Sequence, residues 1–298
     1  LSDADGADER RSPTCGSRMS VTLRLDAAGT IEAIGLDAKA CALGQAAAAI
    51  FARGAIDPRL AAEVEAEVVA RIRADPPASH VGEVAYMSGE NYLIYPETGP
   101  SPGAANPEDL VSKVFNCHAE GATRRMSESP QIADRVAGLL GPDVDCFQSQ
   151  FIFKNPGVIG QPWHQDSYYF KFDKQPQVGV WVARTRATIE NGCLWVVPGS
   201  HAAQEIYEHV PDLRPAANRG YLEIVSQDTA SRTSAVMEPG DVLFFHSYLM
   251  HMSTDNVADY RRSAMVYHYG RAGTKALNPE SAVSLARVNR WIPIRRAA

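Results

Sequence analysis

The segment Gln161-Pro162-Trp163-His164-Gln165-Asp166-Ser167 sets an imidazole and a carboxylate two residues apart. On a β-strand, residues i and i+2 share a face, so His164 and Asp166 could reach one metal ion. A third ligand must come from elsewhere, and the run Phe244 to Ser253 offers two histidines, His246 and His251. Two imidazoles and one carboxylate leave coordination sites open, a set suited to an Fe(II) that takes a bidentate oxoacid and O2 together. His251 is preferred as third ligand because Ser253 and Arg262 follow it. His246 lies close behind the turn Pro239-Gly240-Asp241 and reads as structural or supporting. A dicarboxylate chelated to iron at one end needs a fixed cation at the other. The planar guanidinium of Arg262 gives two-point recognition, and Ser253 can add a hydroxyl donor. The plainer reading of such an arginine is a surface group at a strand edge, and the neighbouring Arg261 is a candidate for that. Strand alternation groups Arg262, Ala264, Val266 and His268 on one face and Arg261, Ser263, Met265 and Tyr267 on the other, without saying which face is inside. The spacing from His251 favours Arg262. His80, His118, His201, His209 and His268 have no partner at ligand spacing and read as ordinary.

These residues need a scaffold, and from Val144 onward the chain supplies short β-rich runs. They are Asp145 to Lys154, Ser167 to Phe172, Val178 to Arg184, Cys193 to Val197, Ala235 to Met237, Val242 to His246 and Arg262 to Tyr269. Turn signals at Asn155-Pro156-Gly157, Glu190-Asn191-Gly192, Pro198-Gly199 and Pro239-Gly240 separate them, the signature of a β-sandwich or barrel of jelly-roll type. Ahead of this core, about 144–270, lies a region of helical support and a lid, 37–140. Its helices are Asp37 to Phe51, Pro58 to Ile72 and Ser129 to Leu140; in the second, Leu60, Val64, Val68 and Ile72 recur every four residues behind an Asp57-Pro58 start. Ala78 to Pro107, with four prolines from Pro96 onward, reads as a loop and lid. Val21 to Ile34 alternates and turns at Gly29, which predicts a hairpin. Residues 1–18 are polar and read as a disordered leader or tag, leaving 19–298 as a single domain.

Bulk composition narrows the partners. The 298 residues are 45% hydrophobic and 21% charged with net charge -6, ordinary for a globular protein and without an electrostatic case for nucleic acid or an anionic membrane. No apolar run approaches the roughly 20 residues of a membrane span. Five scattered cysteines without a CxxC pair argue against a disulfide framework and for a reducing cytoplasm. A small-molecule substrate is the expected partner; no oligomeric state is indicated.

Taken together, several linked segments resemble the phytanoyl-CoA dioxygenase family. They are His164-Gln165-Asp166 with Tyr168-Tyr169-Phe170, Val180-Trp181-Val182-Ala183, Glu190-Asn191-Gly192-Cys193-Leu194, Pro198-Gly199-Ser200-His201, Glu238-Pro239-Gly240-Asp241, and His251-Met252-Ser253 with Asn256 and Arg262. The match runs from about Ser112 to Gly270. It implies a double-stranded β-helix (jelly roll, cupin-like), Fe(II), 2-oxoglutarate and O2. By position it implies His164, Asp166 and His251 as iron ligands, Arg262 and Ser253 at the far carboxylate of 2-oxoglutarate, Trp181 beside it, and Lys113 reaching it. Gln150 stands where relatives often carry an apolar residue and could contact the co-substrate. Some halogenating relatives lack the carboxylate ligand, so Asp166 favours hydroxylation. The segment Asn155 to Gly160 lacks a basic cluster for the phosphates of CoA. Trp163, Tyr168 and Tyr169 are candidate substrate contacts. The alternative is a non-catalytic cupin-like metal-binding or sensor module, which would need neither Arg262 nor Ser253.

Overall fold

The alternating run after residue 18 forms the hairpin its pattern predicts. In the computed structural model, which describes residues 5–11, 18–25, 31–39, 50–97, 103–214, 221–278 and 288–296, β1 (Gly6–Arg11), β2 (Arg18–Leu25) and β3 (Ile31–Lys39) pair antiparallel in that order. Two expectations change here. Gly6–Arg11 is a strand rather than part of a disordered leader, because pairing uses backbone groups that polar residues also carry. The helix expected over Asp37 to Phe51 is strand at both ends, through Lys39 and from Ile50; residues 40–49 lie outside the described set, as does the turn at Gly29. The chain divides into compact units at Leu1–Ala47 and Ala48–Ala298, so residues 19–47 group with the first unit rather than with the β-rich core.

The second unit begins with β4 (Ile50–Ala52) and the helix α1 (Pro58–Ala74). The Asp57 carboxylate accepts the Arg59 N–H at 2.8 Å, and Pro58 opens the first turn. Of its stripe, Val64, Val68 and Ile72 are buried and Leu60 is partly buried. β5 (Tyr86–Ser88) and β6 (Tyr92–Pro96) follow where a lid was expected. The prolines bound these strands instead of excluding them, and Leu93 and Ile94 are fully buried; residues 98–102 are outside the described set. Then come β7 (Val111–Phe115), α2 (Gly121–Ser127), α3 (Pro130–Leu140) and β8 (Val144–Lys154). Asp166–Tyr169 is one helical turn, α4, where a strand was expected. The remainder is β9 (Val178–Ala183), β10 (Leu194–Val196), β11 (Val210–Pro211), β12 (Leu222–Glu223), β13 (Thr233–Ala235), β14 (Val242–His246), β15 (His251–Ser253), β16 (Arg262–Arg271) and β17 (Ile292–Arg295).

The large antiparallel sheet runs β4-β14-β9-β16-β8-β7-β6-β5, with β17 beside the start of β8; a small sheet runs β13-β10-β15. Two apolar layers hold them. On the outer face Phe151, Phe153, Phe244, Met265 and Tyr267 pack against the helices. Between the sheets Trp181, Leu243, Phe245, Ala264 and Val266 meet Cys193, Val196 and Ala235. Each large side chain removed from water in these layers is worth about 1.5–3 kcal/mol. Among the described residues no helix is long and apolar enough to cross a membrane.

Candidate metal centre and its cavity

His164 and His251 face each other across a backbone bridge in which each N–H donates to the other's carbonyl at 3.0 Å. Their rings lie 4.1 Å apart, centroid to centroid. Each Nδ1 is within hydrogen-bond reach of a local carbonyl, Pro162 O at 2.8 Å and Leu249 O at 2.9 Å. Those carbonyls can only accept, so Nδ1 carries the proton and both Nε2 lone pairs are left free. Asp166 Oδ1 lies 3.8 Å from His164 Nε2 and 3.7 Å from His251 Nε2, and the three ligand atoms are mutually within 4.8 Å and buried. Burial, then the neighbouring His251, lowers the His164 pKa to about 3. For Asp166 burial acts upward but His251 and His268 outweigh it, so the carboxyl is held below its usual range. Three electron-pair donors thus converge in a buried site, which fits a divalent cation; this donor set suits Fe(II) with positions left for other ligands.

The local sequence explains the convergence, though not through strand alternation. His164 is in extended backbone, but Asp166 starts α4, whose Phe170 N–H donates to Asp166 O. Between them Gln165 is fully buried. Its amide donates to Glu205 O and Tyr248 O and accepts from the Tyr207 N–H, so two loops clamp the segment. Behind it the Ser167 and Ser247 hydroxyls lie 2.7 Å apart. Gly160 permits a close approach: a Cβ there would lie 1.7 Å from Ser253 O.

A cavity of about 420 Å³ opens beside these ligands. Its floor is the inner face of β8 and β16. In register, Arg262 lies opposite Lys154, Ala264 opposite Ile152, Val266 opposite Gln150 and His268 opposite Gln148. Arg262 is 2% exposed. Its Nη2 donates to Gly192 O at 2.9 Å, its guanidinium carbon lies 5.3 Å from the Trp181 ring centre, and Nε and Nη1 have no partner. Burial lowers its pKa to about 10, leaving it charged at neutral pH. Ser253 Oγ accepts from Lys154 Nζ at 2.9 Å and from the Gln161 N–H at 3.2 Å, so its own proton is free to donate. Trp181, Gln150 and Lys113 also line the cavity; Lys113 Nζ sits 5.3 Å from the Tyr221 ring centre, and Gln150 Oε1 has no partner.

Other expected residues fall elsewhere. His246 is buried beside His201 and accepts from the Tyr248 N–H, apart from the ligand cluster. Trp163 packs against Val197, Ile224 and Met250, and Tyr168 stacks on His209; of the three aromatic candidates Tyr169 lines the cavity. Trp163 has the opposite parity to His164 and turns away from the cavity, and the helical turn at Asp166 breaks the alternation that would have put Tyr168 beside the ligands. Arg261 lies on the outer face, paired with Asp109 and with its Nε on Asn155 Oδ1.

Two residues escaped the sequence reading. His268 Nε2 lies 3.0 Å from Asp166 Oδ2, the oxygen turned away from the imidazoles; its parity with Arg262 was the available signal. Lys154 is 4% exposed at the cationic end. Burial, then the neighbouring Arg262, pushes its ammonium well below the usual range. Parity with Gln150 was the signal there.

The family model for phytanoyl-CoA dioxygenase (PhyH) matches residues 62–264. Similar curated proteins include the peroxisomal phytanoyl-CoA dioxygenase of Rattus norvegicus, 31% identical over 59% of this chain and 54% of that protein. A probable phytanoyl-CoA dioxygenase of Caenorhabditis elegans is 34% identical over 54% of this chain and 55% of that protein. The chain thus spans about half the length of the curated relatives it matches. Among solved structures, the apo non-heme monooxygenase ThoJ superposes with a TM-score of 0.61 at 22% identity, covering 85% of this chain and 82% of that one. EctD from S. alaskensis, solved with 2-oxoglutarate and 5-hydroxyectoine, gives 0.53 at 20%, covering 76% and 73%. These likenesses place the fold among double-stranded β-helices.

Proposed function

The chain belongs to the phytanoyl-CoA dioxygenase family, and from that premise we propose that it is an Fe(II)- and 2-oxoglutarate-dependent oxygenase that hydroxylates a small organic molecule. One observation carries the reading. A buried His164–Asp166–His251 cluster and an Arg262 with unpartnered Nε and Nη1 line the same cavity. A metal-binding module without turnover would need only the first of these.

His164, Asp166 and His251 would hold the iron, and bound iron would supply O2 activation coupled to decarboxylation of 2-oxoglutarate to succinate and CO2. The chain's own work is placement. The carbonyls of Pro162 and Leu249 keep both imidazoles in the metal-binding tautomer. Arg262 offers two N–H groups, and Ser253 one O–H, to the far carboxylate of the diacid, while Trp181 walls the guanidinium. Phe170, Phe245 and Val266 line the cavity with apolar surface and limit water. Asp166 occupies the position that a halide would need, which favours hydroxylation. The phytanoyl-CoA of the named relatives is not carried over, since Asn155 to Gly160 has no basic residues for the phosphates of CoA. The buried free thiols of Cys117, Cys146 and Cys193 support a reducing compartment such as the cytoplasm.

The test is anaerobic addition of Fe(II) and 2-oxoglutarate, read as a visible charge-transfer band, followed by O2 with a pool of small metabolites, read as succinate. The band and substrate-stimulated succinate are expected. Metal binding without either would leave a binding module.

A further inference from the structure

We propose that Lys154 is a second cation for the far carboxylate of the diacid, acting beside Arg262 and Ser253; the inference rests on the function proposed above. Lys154 and Arg262 lie opposite each other on β8 and β16, and both line the cavity. Among the described residues neither forms an ion pair. The neighbouring acid, Asp255, has a side chain 51% exposed and is engaged by Arg214 at 3.6 Å and by the Gly160 N–H at 2.7 Å. The nearby Cys193 thiol is pushed up to about 11, chiefly by burial, and is neutral. Lys154 Nζ has three donors, of which Ser253 Oγ takes one.

Two buried basic groups side by side without an acid are costly, since each can be charged only against the other and without solvation, and a bound anion offsets that cost. The surroundings are built for it. Gly192, at φ +82°, lends its carbonyl to Arg262, and a Cβ there would lie 2.8 Å from the Lys154 stem and 2.5 Å from Thr254 O. Asn256 Nδ2 donates to Lys154 O at 2.9 Å and pins the strand end. Arg262 keeps open N–H groups, Lys154 Nζ has two protons beyond the one that Ser253 Oγ accepts, and the Ser253 proton is free, donors enough for the lone pairs of one carboxylate in the same cavity. Lys113 stands one row along, opposite Ile152 on β7, and is partly exposed, so the two lysines serve different heights of the cavity.

Lys154→Met keeps the length and removes the charge. Anaerobic titration calorimetry of the Fe(II) protein with 2-oxoglutarate should give a Kd raised about 10- to 100-fold by the variant. Binding of 2-oxobutyrate, which has the same chelating end and no far carboxylate, should match wild type. The ligand-free melting temperature should hold or rise, because a buried basic group beside Arg262 with no acid to pair with is gone. Unchanged 2-oxoglutarate affinity, an equal loss for both ligands, or a lower melting temperature at unchanged affinity would each overturn the proposal in favour of a structural lysine. If Lys154→Met does not fold, Lys154→Gln takes the same test with the same outcomes. A wild-type protein that gives no 2-oxoglutarate heat fails the functional reading itself; a wild type that binds, with a variant equal to it, fails this inference alone.

Discussion

The two faces of β16 are equally buried and unequally satisfied. On the outer face the Tyr267 hydroxyl donates to Thr123 O at 2.7 Å, that of Tyr269 to Ser127 O at 2.9 Å, and that of Ser263 to Glu65 at 3.1 Å. On the inner face Arg262 Nε and Nη1 and His268 Nδ1 have no partner, and neither do Trp181 Nε1 and Gln150 Oε1 from the adjoining strands. Native interiors pair nearly all buried polar atoms. The outer face therefore closes on the protein itself, and the inner face keeps donors and acceptors that the protein leaves open to the cavity. One strand serves both because its side chains alternate.

The contrast is broken most severely at His251. His251→Ala should abolish succinate formation and remove the Fe(II)-dependent rise in melting temperature, with little change in the metal-free protein. A variant that kept the metal-dependent rise would move the site elsewhere. Phe151→Ala on the outer face should do the reverse. Phe151 is fully buried against the helices, so truncation should cost about 4 kcal/mol in denaturant unfolding, while Fe(II) and 2-oxoglutarate affinities of the folded protein stay put. Loss of ligand affinity in step with stability would mean that the two faces are not separable. Arg262→Lys keeps the charge but not the planar fork. A penalty of about 2 kcal/mol, roughly 30-fold in 2-oxoglutarate Kd, is expected, and titration with the metal in place would detect it.

How much of this division the sequence discloses depends on the element. Parity on β16 separates Arg262 from Arg261 correctly, but the inner side becomes known only when α1 and α3 cover the other face. His164 and Asp166 converge as their spacing suggests, for a different reason: α4 turns Asp166 back toward the imidazole, and Gln165 is clamped by loops 40 and more residues away. The same turn explains why Tyr168 leaves the cavity, whereas Trp163 turns away because it alternates with His164. Lys154 and His268 stand at no ligand spacing in the sequence; alternation from Gln150 and from Arg262 is what turns both inward. The strands near 86–96 were masked by flanking prolines, and β1 by a polar composition, because strand pairing can outweigh either.

The finest cut falls on His268, which occupies the inner face without touching the metal position. With Nε2 3.0 Å from Asp166 Oδ2 and Nδ1 unpartnered, the ring donates through Nε2 and leaves Oδ1 toward the imidazoles. Holding one carboxylate oxygen fixes which of the two faces the metal and keeps the group from rotating. Partners of this kind are worth about 10- to 100-fold in metal affinity. His268→Gln can still donate an N–H, so the lower end, about tenfold in Fe(II) Kd, is expected, with 2-oxoglutarate affinity at saturating metal little changed. His268→Phe, which cannot donate, should lose more than His268→Gln at similar volume and burial. Equal losses for the two would mean that the ring only fills space against Phe147 and Phe170, and that the inner face is completed by packing there as the outer face is.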